Sequence, residues 1–139
     1  MALLGGFARP RAGPGGHAVY VACSTLSFSK LSLEDALRTI REMHFTKADL
    51  AVHAAGPHLT PAEVLADPGW VAQKLKAANL PLAAIHMDMG RATQDEARNL
   101  LRAVACLARV STTPVLTIPP AEIGADFDAE VSRLKELVK

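Results

Sequence analysis

Short apolar runs rich in Ala, Val and Leu alternate along the chain with longer segments whose apolar positions recur every three or four residues. This is the pattern of βα units, where a strand of period two hands over to a helix of period 3.6. Residues 19–27 (VYVACSTLS), 48–53 (ADLAVH), 82–87 (LAAIHM) and 114–118 predict four strands. Ser32 predicts a helix N-cap, with Glu34 and Asp35 at the positive helix end. Leu33, Ala36, Leu37, Ile40 and Met43 follow as one apolar stripe, and Arg38, Arg41 and Glu42 fall on the solvent side.

The later helices open on equally legible signals. Thr60, Pro61 and Glu63 form a capping box with proline at the first helical position. Asp67, Pro68 and Gly69 interrupt that helix and restart a second one through Trp70, Val71, Leu75 and Ala78, with Asn79 suited to its end. Asp88, Gly90 and Arg91 predict a turn, and Thr93 to Glu96 a capped helix with Ala97, Leu100, Leu101, Val104 and Leu107 on its apolar face. A last helix starts near Phe127 behind an Asp126 cap, with Val131, Leu134 and Leu137 inward.

Strands separated by roughly 30 residues cannot pair as hairpins, so crossover helices make the sheet parallel. The expected fold class is therefore α/β, built of about four parallel βα units. A complete (βα)8 barrel takes about 250 residues, and the chain has 139. The count leaves a partial, half TIM barrel or an open four-stranded sheet. A flavodoxin-like domain is disfavoured because no phosphate loop follows the first strand. Residues 1–18 are crowded with Gly and Pro and read as a flexible tail, leaving 19–139 as the folded unit. Arg9 and Arg11 give that tail a faint transit-peptide character without the serine enrichment or amphipathic face that targeting uses.

Composition narrows the partners. A net charge of +1 gives no electrostatic footprint for nucleic acid or an anionic membrane, and 4% aromatic residues supply no stacking platform. No uncharged apolar stretch reaches the roughly 20 residues that span a bilayer. Cys23 and Cys106 lie far apart without CxxC spacing, so no disulfide framework or zinc site is signalled, and a reducing cytoplasm is expected. Both read as packed thiols, Cys23 in a strand and Cys106 beside Leu107. Nucleotide-binding and zinc-protease motifs are lacking.

The run from VACSTLSFSKLSLEDALRTIREMHFTKADLAVH through GPHLTPAEVLAD and LPLAAIHMDMG to TTPVLTIPPAEIGADFDAEVSRLKELV resembles the xylose isomerase-like TIM barrel superfamily over residues 19–139. That superfamily includes sugar phosphate isomerases and epimerases and AP endonucleases of the endonuclease IV type. The resemblance lies in the order of the pieces. His44 stands where many members have glycine before the aromatic residue of the first helix-to-strand turn, and Ala54 and Ala55 follow His53 where members often carry an acid.

The resemblance implies a sugar or sugar phosphate as ligand and metal-assisted proton transfer on carbon, with a divalent ion (Mn, Mg or Zn) in a full-length relative. The metal-binding and catalytic acids of the isomerase branch come mainly from strands after the fourth. The implied activity therefore belongs to a protein completed by a C-terminal half, and the alternative is a non-catalytic binding or assembly module whose open sheet edges invite a homo-oligomer or pairing with a complementary half. The endonuclease reading is disfavoured by the neutral charge balance.

In a parallel barrel the active face lies at the carboxyl ends of the strands. His53, His58, His86, Asp88 and Glu122 map near it. The endonuclease branch transfers zinc ligation to His53 and His86, with Asp88 able to fix an imidazole tautomer. The same two histidines are also substrate-binding candidates, or simply end their strands and bond nearby loops. Glu122 reads equally as a ligand to sugar hydroxyls or metal and as a solvated loop acid. Ser24, Thr25 and Ser27 are candidates for sugar or phosphate contact or for satisfying loop amides. His58 reads as a loop-ordering residue and His44 as a turn residue, and no catalytic residue can be assigned.

Overall fold

The computed structural model describes residues 20–90, 92–119, 124 and 126–137. The elements run β1 (Cys23–Ser24), a 3-10 turn (Thr25–Phe28), α1 (Leu33–Glu42), β2 (Ala48–His53), α2 (Pro61–Ala66), α3 (Pro68–Ala78), β3 (Leu82–Asp88), α4 (Gln94–Val110), β4 (Val115–Thr117) and α5 (Phe127–Leu137). The four strands form one sheet in the order β1-β2-β3-β4, every pair parallel. The α/β class with parallel βα units is thus the observed one. The tail reading of residues 1–18 falls outside the described residues.

Each helix begins where a side chain can satisfy its first amides. Ser32 Oγ accepts from Asp35 N at 3.1 Å, and Thr60–Glu63 and Thr93–Glu96 are complete capping boxes. Asp67 has two duties. Its backbone ends α2, and its carboxylate accepts from Trp70 N at 2.9 Å to start α3. Asp126 caps α5 through Ala129 N at 2.7 Å.

In β2 and β3 buried residues alternate with half-buried ones except at Ala51 and at the Leu82–Ala83 start of β3, which are buried as well. Leu50 and Val52 of β2 and Ile85 and Met87 of β3 are fully buried in one cluster with Leu37, Ile40, Val64, Val71, Val104 and Leu107 of the helices. Truncating such a residue costs about 2–5 kcal/mol. Sequential strand order with crossovers of one hand places the helices on a single face. The intervening residues Asp49, His53, Ala84, His86 and Asp88 point the other way and are half-buried. Across the helices, Lys74 bridges to Glu34 and sits over the Trp70 ring at 4.2 Å, and Arg41 donates to the Ala78 carbonyl at 3.1 Å, tying α1 to α3.

Several expectations are corrected. Of the first strand expected over residues 19–27, Val19 lies outside the described residues and only Cys23–Ser24 of the rest is strand, because Ser24 Oγ accepts from Leu26 N and turns the chain into a 3-10 helix. The buried Thr25 then accepts the Ala51 amide at 3.1 Å, so this hydroxyl is taken up by the sheet backbone. Cys106 is exposed. It lies two residues beyond the buried Val104, about 200° around a helix. Met43 caps α1 with an exposed side chain. β3 runs one residue further than expected, and β4 is shorter than residues 114–118 at both ends.

The three helix-to-strand turns after α1, α3 and α4 each hold a non-glycine residue at positive φ: His44 at 64°, Asn79 at 50° and Thr112 at 53°. His44 thus adopts a conformation that glycine reaches without steric cost. Asparagine tolerates this region, whereas a bulky or β-branched residue pays about 1–2 kcal/mol to be there.

Two outcomes follow. His44→Gly and Thr112→Gly should each raise stability by about 1 kcal/mol in urea unfolding, while His44→Ala and Thr112→Ala, which keep the Cβ, give no comparable gain. Thr25→Val, which keeps the shape and leaves the Ala51 amide without its acceptor, should cost about 1–3 kcal/mol in the same measurement.

Candidate functional site

The site is the carboxyl end of the polar sheet face. Parallel register sets His53 opposite Asp88 and Ala51 opposite His86, so His86 lies two register pairs deeper than His53 on the same face. The two imidazoles meet edge to face, with centroids 5.0 Å apart and planes at 80°. Ala84 and His86 in turn face Val115 and Thr117 of β4, whose side chains extend the same surface. The residues beneath the histidines on this face are the small Ala51, which is buried, and Ala84, which is half-buried.

The backbone around His53 is held from three sides. His53 N donates to Leu59 O at 3.0 Å, Ala54 N to Asp88 O at 2.8 Å, and Gly56 N to His53 O at 3.0 Å. A Cβ at Gly56 would come within 2.9 Å of His53 Cβ, so this close turn requires glycine. Gly90 has φ of 59° and donates its amide to Asp88 Oδ1 at 2.8 Å, which fixes that carboxylate at the strand end.

Burial, and next the neighbouring His86, hold the His53 imidazole below the ordinary histidine range, with Asp88 and Asp49 pulling in the opposite direction. The neutral ring is therefore favoured. Two buried atoms of this face, His53 Nε2 and Asp49 Oδ1, have no hydrogen-bond partner among the described residues. Buried polar atoms are rarely left so.

The structure brings His53, His86 and Asp88 together. His58 stands apart: its Nε2 lies 3.3 Å from Phe28 O, joining two loops, which matches its loop-ordering reading. Glu122 lies outside the described residues. Asp49 was not among the sequence candidates, although the alternation Asp49, Ala51, His53 within ADLAVH places it on the same face. Among the described residues no group of three or more His, Cys, Asp or Glu side chains is placed to hold a metal. An ion on His53 and His86 would take its remaining donors from outside them. Among the same residues, no helix is long and apolar enough to cross a membrane.

Compared with known protein families, characterised proteins and solved structures, the chain matches none.

The His53 environment gives a pH dependence of fixed sign. The unfolded chain takes up a proton near the ordinary value of 6.5, while the folded chain resists protonation until lower pH. The stability linked to His53 is full above that value and falls as pH drops through the folded-state value. Urea unfolding at about pH 7.5 and about pH 5.5 should show lower stability at the acid end, and His53→Gln should reduce that difference.

Proposed function

We propose that the chain is half of a xylose isomerase-like (βα)8 barrel whose polar sheet face binds a sugar or sugar phosphate. The observation that carries this reading is a parallel sheet with one polar face. Parallel sheets of the doubly wound kind carry helices on both faces, and their strands read as continuous apolar runs. Here the strands alternate, and the polar residues gather at the carboxyl end, where barrels bind their ligands.

The chemistry suits a polyol. Each sugar hydroxyl offers a donor and an acceptor, which a neutral imidazole and a carboxylate complement. In this reading the neutral His53 ring makes one hydrogen bond to a hydroxyl, donated or accepted according to its tautomer, His86 orients a neighbouring one, and Asp88 accepts from a third. A divalent ion, when bound in the completed barrel, would polarise adjacent sugar oxygens. The acids that move a proton on carbon belong to the completing half, so this chain's own part is binding and orientation.

Isothermal titration with a panel of pentose and hexose phosphates tests the reading. Binding should weaken at least about tenfold, or about 1.4 kcal/mol, in His86→Ala and in Asp88→Asn. Cys106→Ser, on the outer surface of α4, should bind as the unaltered chain does. Absence of binding to every member of the panel, or equal binding by the His86 and Asp88 variants, sinks it.

A further inference from the structure

We draw no further inference here: the strongest candidate, the half-buried polar face of the sheet between the open β1 and β4 edges, carries nothing because nothing in the structure shows what covers it.

Discussion

A strand whose side chains alternate can serve two environments, and in this fold the helices occupy only one of them. Leu50, Val52, Ile85 and Met87 fill the helical side, and burying each stabilises the fold by about 1.5–3 kcal/mol relative to exposure. A slip of one residue in register would send this set out and bring Asp49, His53, His86 and Asp88 into the apolar layer. The apolar alternation thus fixes the position of every polar group on the opposite face.

That face is where local geometry is most constrained. The turn after β2 closes on His53 through Gly56, the turn after β3 closes on Asp88 through Gly90, and the two are joined by the bond from Ala54 to the Asp88 carbonyl. The backbone that carries the imidazole is consequently fixed at both strand ends, and the Asp88 carboxylate is held by the Gly90 amide. Preorganisation of this kind reduces the entropy lost when a ligand binds. The electrostatics agree, because the partly desolvated His53 is disposed to remain uncharged, a form able both to donate and to accept.

The helices were legible because their signals are local. Thr60 with Glu63, Thr93 with Glu96, and Asp67 ahead of Pro68 act over three residues, and the structure uses each as the sequence suggests. The sheet was legible where alternation is clear, in ADLAVH and LAAIHMD. Its first strand was not, since VYVACSTLS has strand composition throughout and only the bonds made by Ser24 and Thr25 end it early. Part of the site followed from placing histidines at strand ends. Asp49 was available from the same alternation and needed only the period-two reading carried back from His53. The meeting of His53 with His86 depends on the register between β2 and β3, a long-range quantity that no local pattern encodes.

The elbow at Asp67 makes the second crossover a single mechanical part. One residue, at φ −150° and ψ 81°, closes α2 with its amide and opens α3 with its carboxylate, so no spacer separates the two helices. An inserted amino acid at this point would have to abandon one of those duties, unravelling either the last turn before it or the first turn after it. Length variation in this connection is therefore confined to the stretch between His53 and Thr60 or to the approach to β3, the two places where the chain can change without parting the pair.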